Sequence, residues 1–218
     1  MTSSRENPFK RILVLGATGG TGQLIVKEAI ARGYAVTAMV RSPEKAGALR
    51  GAKLIEGDAR DADTLRVALR GQDGVISALG TPVSPVREVT LLSSVTDLLV
   101  KAMKEERVSR LIAITGLGAG DSAGHGGFFV DKVIFPLLLR HVYADKTRQE
   151  EIIRASHLDW VLVRPSVLNN KSDRNLVRAM TDLSDFRGGT ISRQGVASFV
   201  VDQIETDKWL RKAPAITW

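Results

Sequence analysis

A chain of 218 residues with 44% hydrophobic content can bury one substantial core, and its length fits one domain better than two. The complete lack of cysteine excludes disulfides, thiolate catalysis and cysteine metal sites, and no apolar stretch reaches the ~18 residues of a membrane-spanning helix. The formal charge of +7 does not by itself point to nucleic acid, because Lys and Arg are interleaved with acids and no recognition motif accompanies them. Residues 1–8 are polar, without the apolar core of a secretory signal; they are expected to be disordered, with residues 9–218 forming a single domain of a cytoplasmic protein. His125, His141 and His157 stand outside any metal-ligand spacing, so no metal site is expected.

In chain order, residues 12–15 read as the first strand, and residues 21–32 as the first helix, with Leu24, Ile25, Glu28 and Ala29 setting its period. Gly33 ends that helix and residues 35–40 supply a second strand. A short helix follows Ser42-Pro43, then a strand over 53–56, a helix over 61–69 and a strand over 74–78. Residues 88–106 carry Val89, Leu92, Val95, Leu98, Leu99, Ala102 and Met103, the spacing of a long helix with one buried stripe. A fifth strand is predicted over 111–114, and residues 116–127 hold six glycines, which marks a loop. Residues 132–155 read as a long helix or as two helices interrupted near Pro136, and 160–163 as a sixth strand. Beyond Pro165 the pattern weakens to short strands near 176–181 and 190–191, a helix over 193–204 and a final strand over 214–217. Strands alternating with helices are the signature of successive βαβ units, so an α/β fold with a parallel sheet is expected.

The segment between the first strand and the first helix carries Gly16, Thr18, Gly19, Gly20, Thr21 and Gly22. Gly16 lets the chain turn off the strand, Gly19 lets backbone approach a pyrophosphate, and Gly22 lets the helix pack tightly on the sheet. The free N–H groups of the helix N-terminus then face the phosphates, which points to a dinucleotide. An acid at the end of the second strand would favour NAD, but the chain reads Val40-Arg41-Ser42-Pro43 with Lys45 beyond. Arg41 suits a 2′-phosphate, so NADP (NADPH) is the expected cofactor. Asp58 and Ala59 leave the third strand where an adenine edge should lie; Asp58 reads the base or caps the helix beginning near Asp61.

Together with Gly16–Gly22, the stretches Val40-Arg41-Ser42, Gly57-Asp58, 75–81 and 159–165 resemble the atypical short-chain dehydrogenase/reductases of the NAD(P)-binding, NmrA-like kind, especially the biliverdin reductase B (flavin reductase) branch. The resemblance implies a Rossmann-type, doubly wound, mainly parallel sheet with helices on both faces. It places Ala78, Leu79, Gly80 and Thr81 near the adenosine and ribose, Thr115 and Gly116 beside the nicotinamide, and Pro165, Ser166 and Val167 closing over the nicotinamide end.

Typical members of that superfamily share a Tyr and a Lys four residues later on one helical face. Here Tyr143 and Lys146 are three apart, and Gly116 stands where the biliverdin reductase B branch has a serine. Tyr143 is a candidate proton donor or a packing residue of the helix. Lys146, followed one turn later by Glu150, resembles the lysine that holds the nicotinamide ribose, or else forms an exposed i,i+4 ion pair. Thr115 is the third candidate catalytic residue, through its hydroxyl. Phe128, Phe129 and Val130 after the glycine loop form a lid or simply anchor the loop. The leading expectation is an NADPH-dependent oxidoreductase delivering hydride to a small planar or carbonyl acceptor such as a flavin, quinone or linear tetrapyrrole. The alternatives are a non-catalytic, redox-sensing NADP-binding regulator and an epimerase-like or isomerase-like enzyme. A small-molecule substrate and a monomer or homodimer complete the expectation.

Overall fold

In the computed structural model, residues 10–125, 137–172, 177–186 and 188–218 are described, the Lys45 side chain excepted. The predicted strands run parallel as β1 (Arg11–Leu15), β2 (Ala35–Val40), β3 (Lys53–Glu56), β4 (Gly74–Ser77), β5 (Arg110–Ile114) and β6 (Asp159–Pro165). Their spatial order is β3-β2-β1-β4-β5-β6, so the direction of winding reverses between β1 and β4.

Each central strand is apolar on both faces. Ile12 and Val14 look toward α1 (Gly20–Ala31) and α5 (Arg193–Glu205), where Ile25, Val26, Ala29, Val196 and Val200 complete one core. Leu13 and Leu15 look the other way, toward α2 (Ala62–Leu69), α3 (Leu91–Glu105) and α4 (Arg140–Ala155), meeting Leu65, Leu69, Leu99, Met103 and Ile153. This period-two division of a continuous apolar run is what a parallel sheet covered on both sides requires. Each fully buried Ile or Leu contributes about 2 kcal/mol.

The predicted 214–217 strand is β10 (Ala215–Thr217), and it lies inside the sheet, parallel to β6 on one side and antiparallel to β8 (Arg178–Met180) on the other. Leu176, at the start of the expected 176–181 strand, lies outside the described residues. A separate two-stranded ladder joins β7 (Val167–Asn169) to β9 (Thr190–Ser192). No strand was expected at β7, since three residues are too few to display a period. Of the expected 132–155 helix, residues 132–136 lie outside the described residues and α4 covers the rest from Arg140. Among the described residues, no helix is long and apolar enough to cross a membrane.

The expected 88–106 helix begins at Leu91, and the reason lies on another helix. Thr90, at the N-cap of α3, makes no side-chain cap bond. The wholly buried Asp145 of α4 accepts instead from the N–H groups of Leu92 (2.7 Å) and Ser93 (3.2 Å) and from the Ser93 hydroxyl. One carboxylate thus caps α3 and ties α4 to it. Asp145→Ala leaves two buried donors without an acceptor and is expected to lower unfolding stability by about 3 kcal/mol, read by urea denaturation. Asp145→Asn should cost less, because its amide oxygen still accepts.

Candidate functional site

The glycine turn is built by close approach. Gly16 has φ +75°, and a Cβ there would lie 2.4 Å from the carbonyl oxygen of Ala78 at the end of β4. At Gly22 a Cβ would lie 2.1 Å from the carbonyl oxygen of Gly16, so strand, turn and helix can meet only without side chains. The Gly19 N–H donates to the Gly16 carbonyl at 3.1 Å, and Gln23 Nε2 donates to the Thr18 carbonyl at 2.9 Å. Gly19 is the N-cap of α1, which has no side-chain cap and no acid in its first turn. The leading N–H groups of α1 are therefore left to an anion.

At this switch point a cavity of about 420 Å³ opens over the ends of β1 to β4. Of the residues expected there, Gly16, Thr18, Gly19, Arg41, Asp58, Ala59, Ala78, Leu79 and Gly80 line it. Gly20, Thr21, Gly22 and Thr81 flank it without lining it. Met39, Arg60, Pro82, Leu91 and Val95 also line it and were not expected there. Leu91 and Val95 belong to the apolar stripe of α3, and periodicity alone cannot tell a core position from a cavity wall.

Arg41 is exposed at the mouth and makes no hydrogen bond or ion pair among the described residues. The Lys45 side chain lies outside them. Asp58 does not cap α2; Asp61 does, accepting from the Asp63 and Thr64 N–H groups. Asp58 is instead held by Arg60, whose Nε and Nη2 lie 3.0 and 2.5 Å from its oxygens and whose N–H also donates to it. These bonds hold the Asp58 carboxyl down to about 2, so it stays ionised beside the cavity.

Next along the sheet, the ends of β5 and β6 meet α4. Lys146 Nζ donates to the Thr115 carbonyl and lies 5.0 Å from the centre of the Tyr143 ring. Gly116, at φ +153°, explains how the pair fits: a Cβ there would come within 3.1 Å of both Lys146 Nζ and Tyr143 Oη. The three-residue spacing therefore still brings both polar ends to one point. Burial pulls the Lys146 ammonium down to about 8 against the attraction of the Glu150 carboxylate, and burial pushes the Tyr143 phenol up.

Glu150 does not form the exposed ion pair with Lys146 weighed from the sequence. It accepts from the Thr115 hydroxyl at 2.7 Å and from Arg164, whose Nε is 2.9 Å away and whose Nη2 makes the second arm of a fork. The Glu150 and Arg164 side chains are 1% and 2% exposed, and Arg164 also pairs with Asp121. The Thr115 hydroxyl thus donates into this network, while its carbonyl holds Lys146. Arg164, one residue past the predicted sixth strand, carried no signal beyond its place in the 159–165 stretch. Pro165 accepts from the Leu117 N–H at 3.1 Å, Ser166 donates to Thr217 Oγ1 at 3.1 Å, and Val167 is exposed at the start of β7. Phe128, Phe129 and Val130 lie outside the described residues. Arg164→Leu removes both arms of the fork from the buried Glu150 carboxylate, leaving it the Thr115 hydroxyl and the longer Arg154 contact at 3.9 Å, and is expected to lower stability by about 3 kcal/mol in denaturant titration.

Comparison with known proteins agrees with this geometry. A family model described as NAD(P)H-binding matches residues 16–207. An uncharacterized chloroplastic protein of Arabidopsis thaliana is 26% identical over 203 residues, covering 89% of this chain and 72% of that protein. The chain spans from 32% to 60% of the length of several other curated relatives it matches. Among solved structures, an anaerobillin reductase, ChuY, from Escherichia coli superposes with a TM-score of 0.81 at 23% identity, over 95% of this chain and 96% of that one. A short-chain dehydrogenase/reductase from Veillonella parvula, crystallised in complex with NADP, superposes with a TM-score of 0.79 at 18% identity, over 96% and 95% of the two chains. At these identities the two structures establish a shared Rossmann fold.

Proposed function

The chain belongs to the NAD(P)H-binding family, and from that membership we propose that it is an NADPH-dependent oxidoreductase acting on a small planar or carbonyl acceptor. The observation that carries the cofactor choice is Arg41, exposed at the mouth of the switch-point cavity and making no hydrogen bond or ion pair among the described residues. Its planar fork matches a 2′-phosphate, and β2 ends without the acid that would take the ribose hydroxyls of NAD. Gly16 and Gly22 leave a cradle that any side chain would fill, and the N–H groups of α1 aim at the pyrophosphate. Of the residues lining the cavity, Ala59 and the ionised Asp58 would hold the adenine, and Ala78, Leu79 and Gly80 the adenosine. Bound NADPH supplies hydride.

The chain's own chemistry sits at the Tyr143–Lys146 pair. Lys146, positioned by the Thr115 carbonyl, holds the nicotinamide ribose through its ammonium. Tyr143, whose phenol burial keeps protonated, supplies the proton to the acceptor atom that gains charge. Gly116 keeps the space between them open, and Pro165, joined to Leu117 by a backbone hydrogen bond, would with Ser166 and Val167 border the nicotinamide end. Acceptors of the flavin, quinone or linear tetrapyrrole class suit such a site. The name of the anaerobillin reductase neighbour is consistent with a planar tetrapyrrole. A second proposal, a redox-sensing NADP-binding protein without turnover, is favoured by the Thr115 hydroxyl donating to Glu150, which takes one of the three candidate catalytic groups away from any substrate. NADPH consumption with a panel of flavins, quinones and tetrapyrroles separates the two: tight NADPH binding with no acceptor reduced would overturn the enzyme proposal.

Arg41→Ala should weaken NADPH by about 2 kcal/mol, roughly 30-fold, and leave NADH unchanged, as measured by fluorescence titration. An equal loss for both nucleotides would refute the 2′-phosphate assignment. Lys146 is an ammonium below about 8 and neutral above it. Accordingly kcat/KM should fall as pH rises through about 8, and Lys146→Met should be slow and flat across that range.

A further inference from the structure

The three glycines that the turn needs are Gly16, Gly19 and Gly22; Gly20 is a fourth. Its φ is not in the left-handed region, and no backbone atom crowds the position where its Cβ would stand. What lies there is a side chain from the far end of the sequence: a Cβ on Gly20 would be 3.4 Å from both Cδ and Nε of Arg193. The guanidinium of α5 thus lies across the first turn of α1, where the phosphate-facing N–H groups begin.

That placement suits an anion. Arg193 is the first residue of α5 and borders the N-terminus of α1, so a cation stands at the positive ends of two helices. Among the described residues it has no carboxylate partner. Its hydrogen bond among the described residues is from Nη1 to the neutral Asn170 Oδ1 at 2.6 Å, which fixes its direction and brings no opposite charge. The position is rigid: Ser192 caps α5 by accepting from the Gly195 N–H, and α5 is locked to α1 through Arg32 bonded to Ser198 and Asp202.

We propose that Arg193 is a ligand of the cofactor pyrophosphate, closing over it from α5 while the N–H groups of α1 hold it from beneath. Gly20 is then the residue whose missing side chain lets the guanidinium reach the phosphates. The proposal rests on the dinucleotide assignment above and differs from it in the atoms involved: Arg41 addresses the 2′-phosphate and Arg193 the bridge between the two nucleotides.

The test titrates the full chain and its Arg193→Gln variant with NADPH, with ADP-ribose, which carries the pyrophosphate, and with adenosine 2′-monophosphate, which lacks it. Failure of the unaltered protein to bind NADPH overturns the dinucleotide assignment itself. Where it binds, Arg193→Gln is expected to weaken NADPH and ADP-ribose by about tenfold and to leave adenosine 2′-monophosphate within about twofold. Unchanged NADPH affinity, or an equal loss for all three ligands, overturns the role of Arg193. Arg193→Lys serves as a second variant and is expected to recover part of the lost NADPH affinity by keeping the charge; no recovery in a variant with an unaltered unfolding midpoint also counts against the proposal.

Discussion

No side chain fits between Gly16 and the carbonyl of Ala78, and the rest of the molecule is arranged around that contact. β1 and β4 are neighbours whose following helices go to opposite faces of the sheet, so their ends would part. Bringing the β1 turn down onto the end of β4 leaves a crevice over the strands and points the start of α1 along it. The second approach, Gly22 against the Gly16 carbonyl, sets how closely α1 can lie on the sheet. Both distances are far below any real side-chain contact, so a substitution at either position must move backbone.

The other half of the site depends on α4, which is fixed by polar groups more than by apolar packing. Its apolar contribution is small, chiefly Val142 and Ile153. In their place stand three buried polar anchors: Asp145 to the start of α3, Gln149 to Thr96, and Glu150 to Thr115 and Arg164. Buried charges are costly unless fully paired, but when paired they are directional in a way that Leu or Val is not. This gives the helix one rotation and one register. The same rotation brings Tyr143 and Lys146 to Gly116, so the geometry of the proposed reaction centre follows from the ion pair beneath it.

Much of the fold and half of the site could be read along the chain. The strands up to Pro165 and the helices between them obey a period that burial imposes locally, and the glycine turn, Arg41, and the stretches Asp58-Ala59 and Ala78-Leu79-Gly80 all lie at strand ends, where a βαβ unit must present its ligand-facing groups. What could not be read were the partners. Asp58 as a helix cap and Glu150 as the mate of Lys146 were reasonable from spacing, yet Arg60 takes the first and Arg164 the second. Spacing limits which side chains can meet along one element and says nothing of a closer or better-oriented group on another.

By itself the sequence determined the α/β class, the order of the main elements and the position of the glycine turn, because each depends on periodicity or on glycine at a residue's own place in the chain. Only the tertiary structure decided that β10 enters the sheet between β6 and β8, that α4 caps α3, that Gly116 makes room for Tyr143 and Lys146, and that Arg193 lies over Gly20. The physical reason is the same in every case. These contacts join residues far apart in the chain, and their strength depends on distance and direction in space, which no pattern of neighbours encodes.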